Sequence, residues 1–220
     1  TMNRIMKLVV LGAFLGASLF AADEAAAPKI KVLLITGHDV TPAHPWRETT
    51  PHDRATLEAT GRFDVTVCED AAILEASSLN RYDVIVLNYG FWTAPELAPR
   101  AKENLLAYVK GGKGLVPLHF ACSAYQNWPE YKDLIGRVWK RDVAGHGPRS
   151  TFANKIVAPD HPITRGLRDF EADDELYAKL SGDAPIKVLV TADSDWSKQT
   201  EPLIFTHAYG QGRVAQNLYG

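Results

Sequence analysis

The sequence has 220 residues, of which 46% are hydrophobic and 23% are charged, a composition that excludes global disorder and fits one globular α/β domain. The formal net charge of −2 removes the main electrostatic argument for a nucleic-acid partner. Only two cysteines are present, Cys68 and Cys122, too few for a disulfide scaffold or a four-thiolate zinc site.

The first 22 residues have the layout of a secretory signal peptide. Arg4 and Lys7 precede an apolar run over 8–20, and small alanines follow it. This run is shorter than the roughly 20 residues that a membrane span needs, although an uncleaved anchor is the alternative. We therefore expect cleavage between residues 21 and 27, export to the periplasm or the extracellular space, and no stable membrane insertion after processing.

From residue 29 onwards the pattern alternates strands and helices as in a single domain over 29–220. Apolar runs predict four strands of the kind that a parallel sheet buries on both faces, at 30–36, 63–68, 83–87 and 114–118. Helices are predicted from Thr50 (the expected N-cap before Pro51) to Gly61, from 97 to 111, and from 127 to 139.

The second half of the chain predicts further strands at 155–157, 187–191, 203–207 and 213–218. The residues Tyr209-Gly210-Gln211-Gly212 join the last two strands as a hairpin turn. Together these elements predict a three-layer α/β sandwich with a mostly parallel sheet and an antiparallel edge hairpin.

Polar and aromatic side chains recur where the predicted strands end, which is where ligands bind in such sheets. This composition suits a sugar, because C–H faces stack on aromatic rings and hydroxyls need hydrogen-bond partners. Structural roles for single histidines and tryptophans are the alternative. The candidate substrate-binding residues are His38, His44, Trp46, Arg47, Asn88, Trp92, Trp128 and His146.

The candidate catalytic residues are His119, Asp174, Glu175 and His207. His119 directly follows the strand at 114–118, and an imidazole with an ordinary pKa of about 6.5 can both accept and donate a proton near neutrality. We expect the acidic pair to supply the carboxylate that orients the His119 ring. The alternative is that His119 caps its turn and the acidic pair caps a helix.

Six segments, in order along the chain, resemble the ThuA-like (trehalose-utilisation) family: GKGLVPLHFA, NWPEYKDLIGRVW, GHGPR, PDHPITRGL, DDELY and THAYGQGRVAQNLYG. A further segment at 44–51, HPWRETTP, is similar to secreted members. The resemblance covers about 29–220 and implies the flavodoxin-like fold of class I glutamine amidotransferases. Because family members usually continue past the final strand, we expect this chain to be truncated at its C-terminus.

The resemblance implies a role in carbohydrate catabolism, with a trehalose-like disaccharide or its 3-keto glycoside as substrate and a sugar oxidoreductase in the same pathway. We therefore expect an exported hydrolase or lyase that uses general acid/base chemistry and no cofactor.

Two alternative functions stay open, a sugar-binding module without catalysis and a hydrolase with one divalent metal. The metal would be held by His38, His119 and His207, near Asp174 or Glu175.

Glutamine amidotransfer is disfavoured, because that chemistry needs a nucleophilic cysteine on the turn after the central strand and a later His-x-Glu pair. Here His119 occupies the turn, Cys122 lies three residues later, and no His-x-Glu occurs in the sequence. Cys122 is therefore interpreted as a small packing residue, with a Cys68–Cys122 disulfide as a further alternative.

Overall fold

The computed structural model describes residues 27–40 and 42–220. The predicted signal peptide, residues 1–22, lies outside the described residues. In the part of the chain that is described, no helix has the length and apolar character needed to cross a membrane.

In the described residues, nine strands form one sheet. Their bounds are β1 Ile30–Ile35, β2 Phe63–Cys68, β3 Val84–Leu87, β4 Gly114–Pro117, β5 Ser150–Ile156, β6 Phe170–Asp174, β7 Lys187–Ser194, β8 Gln199–Tyr209 and β9 Gly212–Asn217. The spatial order is β2-β1-β3-β4-β9-β8-β7-β5-β6. Pairing is parallel from β2 to β9 in this order and antiparallel from β9 to β6.

Within the part of the chain that the structure describes, three α-helices accompany the sheet, α1 Trp46–Ala59, α2 Pro99–Lys110 and α3 Pro129–Ile135. The parallel strands bury both faces, because alternate side chains point to opposite sides. Leu33 and Ile35 join the main core with residues of α2 and α3. Val32 and Leu34 form a second cluster, against which Leu57 of α1 packs. The parallel half is thus a three-layer arrangement of helix, sheet and helices.

The α/β class is confirmed, but the sheet is mixed rather than mostly parallel. Four of its pairings are parallel and four are antiparallel. The strands that follow α3 pair antiparallel with one another, and such pairings need no crossover helix. Sequence patterning missed β6 altogether, because the strand reads FEADD and is largely exposed.

Two helix boundaries differ from the prediction. Helix α1 begins at Trp46, so Pro51 lies inside it, and Thr50 is a buried residue whose Oγ1 lies 3.0 Å from Oγ1 of Thr36. Helix α3 ends at Ile135 rather than at 139, because Gly136 takes a φ of 89° that stops the helix. Helix α2 ends before Gly111 as predicted.

Candidate functional site

A two-lobed cleft opens beside the carboxyl ends of the parallel strands. The larger lobe has a volume of about 480 Å³, and the smaller lobe has a volume of about 170 Å³. Ala43, His44 and Glu175 line both lobes, so the two spaces are adjacent. The cleft therefore lies at the edge of the sheet where ligands bind in folds of this kind.

His119 lies in the larger lobe at the start of a 3₁₀ turn, His119–Ser123, just after β4. Its φ of 40° is in the left-handed region, which a side chain with a Cβ rarely adopts. Nδ1 lies 2.8 Å from the carbonyl oxygen of Leu218. A carbonyl can only accept, so Nδ1 carries the proton and donates it, and the neutral ring keeps a lone pair on Nε2.

Burial lowers the pKa of His119 to about 4, against the opposing effect of the hydrogen bond to Leu218. The ring is only 6% exposed. The expectation of an ordinary pKa near 6.5 is therefore wrong, and so is the expectation of a carboxylate partner. A backbone carbonyl orients the imidazole, and the ring is neutral at neutral pH.

Aromatic rings surround His119 closely. Tyr177 stacks on it with ring centroids 4.3 Å apart, and His44 meets it edge-on at 4.9 Å. His44 in turn stacks on Phe120 at 4.4 Å. Burial, followed by the neighbouring imidazoles His119 and His146, lowers the pKa of His44 to about 4. This buried, aromatic environment favours the uncharged forms of His44 and His119.

The acidic pair lines the larger lobe but does not orient His119. Asp174 accepts hydrogen bonds from the backbone N–H of Glu175 at 2.7 Å and of Gly220 at 3.0 Å. Burial raises the pKa of Asp174, although these two bonds oppose the shift. The carboxylate of Glu175 lies 3.7 Å from Nε2 of His146. The helix-cap alternative is wrong, because Asp174 ends strand β6.

The segment after β9 forms one wall of the larger lobe. Leu218 accepts the His119 hydrogen bond, and the hydroxyl of Tyr219 donates to the side-chain oxygen of Asn154 in β5 at 2.6 Å. The N–H of Gly220 donates to Asp174 in β6. This segment therefore ties the turn after β4 to the antiparallel half of the sheet.

The smaller lobe is lined mainly by aromatic rings. Trp92 is 37% exposed, and its ring packs on Phe91 with centroids 3.8 Å apart. Trp139, Tyr177 and His146 complete the aromatic lining. A partly exposed indole beside a histidine and the Glu175 carboxylate is a suitable surface for a sugar ring.

Asn88 follows β3 and holds a polar network at the base of the larger lobe. Its Nδ2 lies within hydrogen-bond distance of Oγ1 of Thr49 at 3.0 Å, Oγ1 of Thr50 at 3.2 Å and Oδ2 of Asp53 at 3.1 Å. Asp53 was not among the residues predicted from the sequence. The available signal was its spacing, since Thr49 and Asp53 are four residues apart on one face of α1.

His207 does not line this cleft. The expectation that it lies at the same edge of the sheet as His119 is therefore wrong. It pairs with Val214 of β9, which is level with Leu115 near the start of β4. Its Nε2 lies 2.9 Å from the carbonyl oxygen of Leu134 in α3. Because β8 runs antiparallel to β9, the C-terminal end of β8 lies at the opposite edge of the sheet from His119.

Four of the predicted substrate-binding residues line neither lobe. Trp46 is buried below Arg47, whose guanidinium pairs with the exposed carboxylate of Asp39 at 2.8 Å. His38 packs 5.7 Å from the ring of Tyr89. Trp128 is buried and lines a separate hollow of about 460 Å³.

The structure does not bring together the three histidines of the metal alternative. His119 and His207 lie at opposite edges of the sheet, so they cannot share one ion with His38. Over residues 27–40 and 42–220, no group of three or more His, Cys, Asp or Glu side chains is arranged to hold a metal ion.

Both cysteines are free, so the alternative of a Cys68–Cys122 disulfide is wrong. Cys122 is fully buried in the main core, and burial raises the pKa of its thiol to about 12. A neutral, inaccessible thiol is a packing group rather than a nucleophile.

Two solved ThuA-like proteins share the fold. The protein from Parabacteroides merdae has a TM-score of 0.74 and 27% identity, covering 86% of this chain and 79% of that one. The protein from Bacteroides uniformis has a TM-score of 0.72 and 20% identity, covering 91% of this chain and 86% of that one.

A β-galactosidase from Bacillus circulans sp. alkalophilus also contains the fold, with a TM-score of 0.58 and 14% identity over 87% of this chain and 29% of that one. No curated protein matches the sequence. The family model of ThuA, described as trehalose utilisation, matches residues 31–220. This match spans the whole described fold from β1 to the wall of the cleft, and the chain therefore belongs to the ThuA family.

Proposed function

We propose that the protein is an exported enzyme of carbohydrate catabolism that acts on a disaccharide, or on its 3-keto derivative, with His119 as general base. The observation that carries the proposal is the hydrogen bond from Nδ1 of His119 to Leu218. It leaves Nε2 as an acceptor in a cleft that can hold a small sugar. The basic and apolar pattern of residues 1–22 supports export.

The two lobes suit two sugar units with different roles. The reacting unit would lie in the larger lobe beside His119, where Asn88 and Asp174 offer polar contacts. The second unit would lie in the smaller lobe against Trp92, with Glu175 and His146 close to its hydroxyls. The family description, trehalose utilisation, agrees with a substrate made of two linked rings.

A neutral imidazole can begin the reaction in either of two ways. With a 3-keto glycoside, Nε2 of His119 would take the proton on the carbon between the carbonyl and the glycosidic carbon. The released electron pair would form a carbon–carbon double bond as the glycosidic C–O bond breaks, and the departing oxygen would take up a proton. With an unoxidised disaccharide, the same nitrogen would take a proton from an attacking water.

A matched pair of histidine variants tests the catalytic role. We expect His119→Ala to reduce turnover by about 10²- to 10⁴-fold on whichever substrate is cleaved, among trehalose, sucrose, simple glucosides and their 3-keto forms. His207→Ala is the control, since it also removes a histidine that is bonded to a backbone carbonyl, but at the opposite edge of the sheet. Equal turnover by the wild type and a folded His119→Ala protein would contradict the proposal.

A sugar-binding module without catalysis is the competing function, because the same cleft would serve it. Calorimetric titration with each of these sugars, alongside product analysis, separates the two functions. Saturable binding without product from any of them would favour the module.

A further inference from the structure

We infer that Asp53 is the second proton-transfer group of the larger lobe and protonates the oxygen that leaves when His119 acts as the base. This inference rests on the proposed function. It adds a residue that the sequence pattern did not indicate and assigns the acid to helix α1 rather than to the pair Asp174 and Glu175.

Helix α1 places Asp53 in the wall of the larger lobe. Thr49, His52 and Asp53 all line this lobe, and their spacing of three and four residues puts them on one helix face. His119 lines the same lobe from the turn after β4. Because both groups line the same lobe, a sugar bound in the lobe can contact both.

Asn88 fixes the orientation of the Asp53 carboxyl group. The amide Nδ2 of Asn88 donates to Oδ2 of Asp53 at 3.1 Å. Among the described residues, no hydrogen bond engages Oδ1 of Asp53, and no lysine or arginine forms an ion pair with its carboxyl group. One oxygen is thus anchored while the other is available to a ligand.

The surroundings of Asp53 shift the pKa of its carboxyl group upwards, towards the range that a proton donor needs. Burial raises the pKa of Asp53, and the charge of the neighbouring His52 opposes this only as the smaller effect. The other titratable or charged residues that line the lobe are His44, His119, Arg149, Asp174, Glu175 and Tyr219. The guanidinium of Arg149 forms its ion pair with Asp173, and it is therefore directed to a carboxyl group other than that of Asp53.

His119 and Asp53 together account for both proton transfers of the reaction. A proton moves from a sugar C–H, or from the attacking water, to Nε2 of His119. The glycosidic C–O bond breaks with its electron pair on the oxygen, which receives the proton from Oδ1 of Asp53. An imidazolium and a carboxylate remain, so net charge is conserved, and proton exchange with solvent restores both groups.

The test is a pH profile of kcat for the wild type, Asp53→Asn and Glu58→Gln, with His119→Ala measured in parallel on the same panel of sugars. Asn keeps an oxygen that can accept from Asn88, but it cannot donate the catalytic proton. We expect Asp53→Asn to lower kcat at least tenfold with KM changed less than threefold, and to lose the decline of kcat at high pH. Glu58→Gln removes an exposed carboxylate of the same helix and should match the wild type.

Failure of the role of Asp53 and failure of the proposed function give different results. If His119→Ala is inactive while Asp53→Asn keeps the wild-type kcat and pH profile, the role of Asp53 is overturned and the proposed function stands. If the wild type converts none of the sugars, the proposed function and this inference fall together. Carboxyl ¹³C NMR titration of the wild type does not depend on a folded variant, and an ordinary or lowered pKa for Asp53 would also overturn the inference.

Discussion

The imidazole of His119 donates a hydrogen bond from Nδ1 to the carbonyl oxygen of Leu218, 2.8 Å away and 99 residues later in the chain. This contact joins the turn after β4 to the segment that follows β9. It decides which nitrogen of the ring carries the proton. Burial outweighs the opposing effect of this hydrogen bond and lowers the pKa of His119, and the pH dependence of stability follows from that burial.

We expect the free energy of unfolding to fall as the pH is lowered from about 7 to about 5. His44 and His119 have pKa values of about 4 in the folded protein, whereas an unfolded histidine titrates near about 6.5. Between these two pKa values the unfolded chain binds more protons than the folded protein. The stabilising contribution is therefore complete above the unfolded pKa and is lost as the pH falls towards the folded pKa.

Urea denaturation at pH 7 and pH 5 measures this effect, which should be on the order of 1–2 kcal/mol for each histidine. His119→Gln should reduce the difference between the two pH values. An identical free energy of unfolding at both pH values in the wild type would contradict the lowered pKa values.

Replacing Trp92 tests the aromatic surface of the smaller lobe. Trp92→Ala should weaken binding of the cleaved disaccharide by about tenfold, because stacking on an indole face contributes about 1 kcal/mol or more. The side chain is partly exposed, so the melting temperature should change little. Trp92→Phe keeps a ring and is the control. Calorimetric titration of the three proteins gives the affinities, and equal affinities would contradict a sugar site in this lobe.

Gly90 is required by the close approach of the turn that carries His119. A Cβ at Gly90 would lie 2.5 Å from the carbonyl oxygen of Phe120 and 2.7 Å from Cα of Ala121. Both are backbone atoms, so Gly90→Ala must displace the turn that carries His119. We expect the substitution to lower the free energy of unfolding by about 1–3 kcal/mol and to reduce activity.

Gly147→Ala is the matched control for this substitution, since its nearest contact would be an ordinary 3.6 Å from Cβ of Trp196. Thermal unfolding of the two variants gives the comparison. Similar melting temperatures for both variants would contradict the packing argument.

Thiol labelling tests the environment of Cys122. This thiol is fully buried with a pKa raised to about 12, whereas Cys68 is only partly buried. We expect Cys122 to react with a thiol reagent only after unfolding, and Cys122→Ser to keep any sugar-directed turnover within a few-fold. Rapid labelling of both cysteines in the native protein, or a thousandfold loss of turnover in Cys122→Ser, would contradict this expectation.

The parallel half of the fold was predictable because its signals are local. Val32, Leu34 and Ile85 belong to short apolar runs bounded by polar residues, and such runs indicate strands that are buried on both faces. Gly111 likewise marks the end of α2. The position of His119 directly after β4 followed from the same pattern, and its catalytic role stays a prediction.

The charge and hydrogen-bond partner of His119 depended on residues that are distant in sequence. Leu218 and Tyr177 reach the ring only after the sheet has formed. The direction of β8 decided that His207 lies at the far edge, because a histidine at the end of an antiparallel strand looks the same in sequence as one at the end of a parallel strand.

The sequence by itself determined the α/β class, the parallel strands and the family, since these follow from local hydrophobic patterning and ordered motifs. Only the tertiary structure decided that Asn88 holds Asp53 in the wall of the cleft and that a carbonyl orients His119. The physical reason is that burial and hydrogen bonding, which set the pKa of each group, are properties of contacts between distant residues.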